Sequence, residues 1–195
     1  MRTFIALDLD DEVRQRILRF KQEVSKFAPK ARWIDEGSLH VTLKFIGEMA
    51  DSKVKEIEAA LGSVKAAWFK IKFGGTGFFP TARSARVFWI GIGAEPALAN
   101  LATKVEHSLA RLGIPKESRK FSPHLTLART RGGSGAPGWR KADKPNRQFA
   151  VLQQHLEKSQ AVEFGTMTAR EFFLYRSQLS SKGSRYTKIA RFGLE

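Results

Sequence analysis

The tetrapeptide His40-Val41-Thr42-Leu43 returns, one conservative change apart, as His124-Leu125-Thr126-Leu127. Each copy reads as a β-strand, because apolar residues alternate through Leu39, Val41, Leu43 and Phe45, and again at Leu125 and Leu127. Period two puts His40 and Thr42 on one face of their strand, and His124 and Thr126 on one face of theirs. Side chains two residues apart project side by side, about 6–7 Å along the chain, so an imidazole and a hydroxyl can touch one small anion together. Two such strands facing each other supply two proton-transfer groups and two hydroxyl donors around a single phosphate. Histidine suits both ends of such a transfer because its pKa lies near neutrality. A single His-x-Thr in a strand is ordinarily structural. From average composition, a second copy arising by chance in a chain of this length has odds on the order of one per cent.

Other chemistry-bearing residues are less specific. Arg129 lies just past the second motif, and a guanidinium holds phosphate bidentately. Strict alternation puts it on the face opposite His124, so it reaches a shared site only if the strand ends or bulges there. Lys44 falls on the His40 face and would assist electrostatically. Phe45 could stack on a base, but its parity with Val41 and Leu43 favours core packing. His107 and His155 fall in helical patterns with no acidic or histidine partner at metal-ligand spacing, and read as surface or boundary residues. No P-loop, dinucleotide fingerprint or acidic metal cluster is present, so no metal or cofactor is expected.

The elements that must carry these residues follow from periodicity. Residues 3–9 form a buried-type strand. Asp10, Asp11 and Glu12 then open a helix with Val13, Ile17, Phe20, Val24 and Phe27 on one face, closed by Pro29. A short strand over residues 31–34 precedes the first motif. Ser52 is the expected cap of a second helix carrying Val54, Ile57, Leu61 and Val64. Residues 69–79 and 85–93 form a hairpin. In the second half, Pro96 starts a helix with Leu98, Leu101, Val105 and Leu112 inward, ended by Gly113. The second motif follows. Residues 131–148 hold glycines, two prolines and almost only positive charge (Arg131, Arg140, Lys141, Lys144 and Arg147 against Asp143), and read as a long mobile loop. A helix over 149–157 and a hairpin over 170–192 complete the chain. The order of strand, helix, motif strand, helix and hairpin thus occurs twice. It predicts an α+β fold of two pseudo-symmetric lobes, each an antiparallel sheet with helices outside, around a central cleft.

At 195 residues the chain fits one domain, with lobes at approximately 1–90 and 91–195 and the hairpins open to exchange between them. That length buries roughly 70–75% of the unfolded surface, so no metal or disulfide staple is required. The absence of cysteine excludes disulfides, thiolate metal sites and a cysteine nucleophile. A net charge of +15 points to a polyanionic partner, most simply RNA. No 18-residue apolar run is present to span a membrane, and Phe4-Ile5-Ala6-Leu7 is too short and too closely followed by acids for a signal peptide. A cytoplasmic protein is the expectation.

These motifs resemble the paired His-x-Thr signatures of the two-histidine (2H) phosphoesterases, in particular their RNA 2′,3′-cyclic phosphodiesterase branch, historically called 2′-5′ RNA ligase. Residues 2–7 (RTFIAL) resemble the family's first strand, residues 39–48 (LHVTLKFIGE) its first motif, and residues 121–129 (FSPHLTLAR) its second. Residues 78–80 with 86–91 resemble its central hairpin, and residues 174–177 with Tyr186 its closing one. The resemblance implies a metal-independent enzyme that opens RNA 2′,3′-cyclic phosphate ends to 2′-phosphomonoesters, and that can run the reverse 2′-5′ ligation. It implies His40 as proton donor to the 3′ oxygen and His124 as the base on water, an assignment that residue types alone leave open. Thr42, Thr126 and Arg129 would bind the phosphate, while hairpin packing explains Tyr186 and Ser177 equally well. The expected partner is RNA or an oligonucleotide with a cyclic phosphate end, handled by a monomer. The competing reading is a non-catalytic RNA-binding module; such a module has no need for two imidazoles placed as acid and base.

Overall fold

The computed structural model describes residues 1–94, 96–130, 146–180 and 183–195. Of the basic stretch 131–148, residues 131–145, with Arg131, Arg140, Lys141, Asp143 and Lys144, lie outside the described residues.

Among the described residues, nine strands and four helices follow in the order β1 (Arg2–Leu7), α1 (Asp11–Ser25), β2 (Arg32–Trp33), β3 (Val41–Glu48), α2 (Asp51–Gly62), β4 (Phe69–Phe79), β5 (Val87–Gly93), α3 (Ala97–Ala110), β6 (His124–Arg129), α4 (Ala150–Glu157), β7 (Glu163–Ala169), β8 (Glu171–Ser180) and β9 (Gly183–Gly193). A 3-10 turn at Glu36–Ser38 leads into β3. Local chemistry explains some of the boundaries. The Asp10 carboxylate caps α1 by accepting from the Val13 amide, and Asp11 and Glu12 lie at the positive end of the helix dipole. Gly113 takes φ 78° just beyond α3, a conformation that favours glycine. The expectation for Ser52 is corrected: Ser52 lies inside α2, which starts two residues earlier than that cap implies, with Ala50 at the cap position and no side-chain cap bond. Asp51 in the first turn meets the helix dipole instead.

The strands form two antiparallel sheets, β3-β1-β8-β9 and β2-β6-β5-β4-β7. Each takes a hairpin from the other half of the chain. The early hairpin β4–β5 pairs through β5 with β6, the second motif strand, and the closing hairpin β8–β9 pairs through β8 with β1, the neighbour of the first motif strand β3. A division at residue 90 falls inside β5. The helices cross over as well. Phe20 of α1 packs edge-on against Phe164 of β7 at 5.1 Å, while α3 lies against β3 and α2.

One face of each sheet enters a common core. Ile5 and Leu7 of β1 meet Phe73, Phe88 and Ile90 of the other sheet there, with Ile17, Ile57, Leu61 and Leu101 from the helices. Burying a side chain such as Ile17 is worth about 1.5–3 kcal/mol. The other face of the first sheet carries a separate cluster of Phe4, Ala6, Phe173 and Tyr175, with Tyr186 packed on it. This face and its counterpart on the second sheet line the cleft.

Strand β7 is not foreseen by periodicity. Its pairing with β4 shifts register at Gly165, which takes φ 102°, so Phe164 and Met167 both turn inward although they are three residues apart. A bulge hides the period of two.

Candidate active site

The two motif strands are bulged at the same place. Along β3, Thr42 stands opposite Ala6 and Phe45 opposite Phe4, leaving Leu43 as the extra residue. Along β6, Thr126 stands opposite Trp89 and Arg129 opposite Val87, leaving Leu127 as the extra residue. A bulge restores to the cleft face a side chain that alternation would send the other way. Arg129 is therefore on the same face as His124 and Thr126, and the bulge that its role depends on is present. Two expectations are corrected by the same geometry. Phe45 does not pack in the core; it is 54% exposed on the cleft face. Lys44 does not share the His40 face. It is buried on the core side, where its ammonium donates to Glu106 Oε1 at 2.6 Å and to the Pro115 carbonyl at 3.0 Å.

The histidines sit in equivalent settings. His40 Nδ1 lies 2.7 Å from the Ser38 carbonyl and His124 Nδ1 lies 2.8 Å from the Ser122 carbonyl, in each case two residues back. A carbonyl only accepts, so each Nδ1 carries the proton and each Nε2 is left with its lone pair. Burial pushes the pKa of His40 down to about 4; the Ser38 carbonyl opposes this, Arg129 and His124 add to it, and Asp8 works against it. Burial and Arg129 also push His124 below its ordinary value, against the pull of the Ser122 carbonyl. His40 is therefore neutral at pH 7, and each histidine senses the positive charge of Arg129. No hydrogen-bond partner for the Thr42 or Thr126 hydroxyl occurs among the described residues. Both are half-buried on the cleft face.

Aromatic side chains wall both rings. His40 lies 4.7 Å from the Phe4 ring and 5.2 Å, edge-on, from Tyr186; Phe4 stacks on Tyr175 at 5.0 Å. Phe79 meets His124 edge-on at 5.0 Å and leans on Trp89. A side chain at Gly77 would drive its Cβ into the Trp89 indole, so only glycine lets that ring lie flat across β4. Ser177 pairs with Tyr186 across the closing hairpin. His107 and His155 lie away from the site, on α3 and α4, and His155 stacks on Phe27 at 4.0 Å.

Sequence reasoning missed Asp8, Arg14, Phe4 and Phe79. Asp8 accepts from Arg14 and from Lys188, each at 2.6 Å. Burial works against its charge, but these two cations overcome that and hold it below the ordinary carboxylate range. Arg14 also donates to the Glu36 carbonyl, which ties α1 to the turn whose Ser38 holds His40. The signal for Asp8 and Phe4 was their shared parity along the first strand; nothing local marks Phe79.

The arrangement offers two imidazole lone pairs, two hydroxyl donors and one guanidinium around a space lined by ring faces. Such a set has the donors to hold a phosphate and the lone pairs to accept protons beside it. Among the described residues no three His, Asp or Glu side chains converge to hold a metal ion, and no helix is long and apolar enough to cross a membrane.

Known proteins carry the same organisation. The family described as LigT like Phosphoesterase matches the chain twice, over residues 7–89 and 90–186. The RNA 2′,3′-cyclic phosphodiesterase of Archaeoglobus fulgidus is 33% identical, the alignment covering 98% of this chain and 99% of the relative. Among solved structures, TT0787 of Thermus thermophilus superposes with a TM-score of 0.77 at 29% identity, over 100% of this chain and 98% of that one. LigT of Escherichia coli complexed with 3′-AMP superposes with a TM-score of 0.73 at 27% identity, over 99% and 97%. The double match divides the chain into the same two repeats as the paired motifs, and the chain belongs to the LigT-like phosphoesterase family.

Proposed function

We propose that this chain hydrolyses RNA 2′,3′-cyclic phosphate ends to 2′-phosphomonoesters, without a metal, by acid–base catalysis between His40 and His124. The observation that carries this reading is the matched pair of imidazoles, each fixed by a carbonyl at Nδ1 and each sensing the charge of the same Arg129. The names of relatives such as the Archaeoglobus fulgidus enzyme support the substrate class.

Water loses a proton to Nε2 of His124 and attacks phosphorus. The bond from phosphorus to the 3′ oxygen breaks, and that oxygen takes a proton from Nε2 of His40. The anionic phosphate, once bound, offsets the burial that otherwise keeps His40 neutral, so the site accepts the proton it must donate. Thr42, Thr126 and Arg129 donate to the non-bridging oxygens, where charge accumulates. Phe45 offers an exposed ring face to the terminal base. Both histidines come from one chain, so a monomer suffices. With a 5′-hydroxyl end in place of water, the same proton transfers join two RNA ends through a 2′-5′ linkage.

The test is hydrolysis of a 2′,3′-cyclic nucleotide in EDTA, followed by phosphorus NMR. Turnover should persist in chelator and yield the 2′-phosphate. His40→Ala and His124→Ala should each lower turnover by roughly 10²–10⁴-fold with the fold intact. The double variant should be far less than multiplicatively worse, because the pair acts as a unit. A folded single variant with near-normal turnover sinks the site assignment. A 3′-phosphate product reverses the leaving group.

A further inference from the structure

Arg32 and Arg129 are direct cross-strand partners between β2 and β6, on the cleft face. Like charges set opposite each other across a ladder repel. Arg129 registers that repulsion: burial first, and then Arg32, push its guanidinium below its ordinary pKa, with Tyr186 opposing. An arginine nonetheless stays charged. No carboxylate lies within ion-pair distance of either guanidinium among the described residues, although elsewhere the fold pairs its cations, as in Arg14–Asp8, Lys44–Glu106 and Lys72–Glu163. The two differ in setting. Arg129 is half-buried beside the histidines, whereas Arg32 is exposed on a two-residue edge strand at the rim of the cleft. A ladder position that would favour an acid opposite Arg129 instead holds a second cation facing solvent.

We propose that Arg32 is a second phosphate subsite, holding the phosphodiester immediately upstream of the RNA end whose terminal phosphate lies at Arg129. The inference rests on the function proposed above and extends it from a nucleotide to a chain. One strand carries a phosphate per nucleotide, so neighbouring phosphates can each take one member of the arginine pair and relieve its repulsion. Backbone contacts of this kind add affinity without reading sequence. The subsite therefore favours oligonucleotides over mononucleotides.

The test measures binding to product-like ligands, so it is independent of turnover. Fluorescence anisotropy compares a labelled trinucleotide ending in a 2′-phosphate with unlabelled 2′-AMP as competitor, across a salt series, for the intact protein, Arg32→Ala and Arg32→Lys. The intact protein should bind the trinucleotide more tightly. Arg32→Ala should weaken the trinucleotide about three- to tenfold more than the mononucleotide. It should also flatten the slope of log affinity against log salt by about 0.7, the value for one single-strand phosphate. Arg32→Lys should restore the slope, because it keeps the charge. Equal weakening of both ligands, an unaltered slope, or no trinucleotide advantage in the intact protein would overturn the subsite. Should the Arg32 dependence hold in a protein that hydrolyses no cyclic phosphate, the proposed reaction fails and the subsite stands.

Discussion

His40 is the residue where burial and function pull in opposite directions. Its imidazole lies among Phe4, Tyr175 and Tyr186, and the desolvation that results drives its pKa to about 4. In the unfolded chain the same group titrates near 6.5. Folding therefore releases a proton between those values, and stability should be complete above pH 6.5 and fall as pH drops toward 4, by up to about 3 kcal/mol from this group. Urea unfolding at a series of pH values measures the effect. His40→Asn should flatten the curve in that window, and a curve unchanged by the substitution would show that the ring is not desolvated as its neighbours indicate. A bound phosphate should raise the His40 pKa, which imidazole NMR chemical shifts would follow in titrations with and without a 2′-nucleotide.

At the scale of elements, the bulges decide what the sequence could reveal. The His-x-Thr part of each motif was legible because it precedes the bulge, where period two still holds. Beyond Leu43 and Leu127 parity inverts, so Phe45 and Arg129 turn to the cleft and Lys44 turns to the core. The same device concealed β7. Helices α1 and α3 were legible from their apolar stripes, and each starts where Asp10 and Pro96 indicate, but α1 stops at Ser25, before Phe27 and Pro29, and α3 at Ala110, before Leu112. Lys44 now has a structural role that can be measured. Its ammonium is buried against Glu106, whose carboxylate also accepts from the Glu117 amide, so the pair fastens β3 to α3 and to the segment leading into β6. Burial opposes the charge of Glu106, but Lys44 and that amide hold its carboxyl below the ordinary range. Glu106→Gln leaves a buried cation without its counter-ion and should cost about 3 kcal/mol in chemical denaturation. Adding Lys44→Met should recover most of that loss, since an apolar chain of similar length fills the site without a charge. A loss in the single variant that the double variant fails to recover would mean that the cost lies in packing rather than in the stranded charge.

At the scale of the whole molecule, the repeat in sequence and the lobe in space are different divisions. The family match splits the chain at residue 90, and the motifs repeat on either side of it, yet each sheet is completed by a hairpin from the other half. Residues 1–94 alone would hold β1 without its β8 partner, and β4–β5 without β6 on one side and β7 on the other. The core joins both sheets through residues from both halves, from Ile5 and Phe73 to Leu101 and Leu125. Neither half can bury its apolar faces by itself, and the open edges invite non-native pairing. Cutting after Ala94, between β5 and α3, should therefore give two fragments that show no cooperative unfolding when separate. Mixed and refolded together, they should regain the native sheet signal in circular dichroism. They should also regain cyclic phosphate hydrolysis, because His40 and His124 arrive on different fragments. The exchange also bears on how the histidines meet: β6 is flanked by β2 and β5 of the first repeat, and β1, the partner of β3, is flanked on its other side by β8 of the second, so each motif's sheet is completed only by the other repeat. If either fragment unfolds cooperatively on its own, the lobes are independent folding units and the exchanged hairpins contribute little to holding the site.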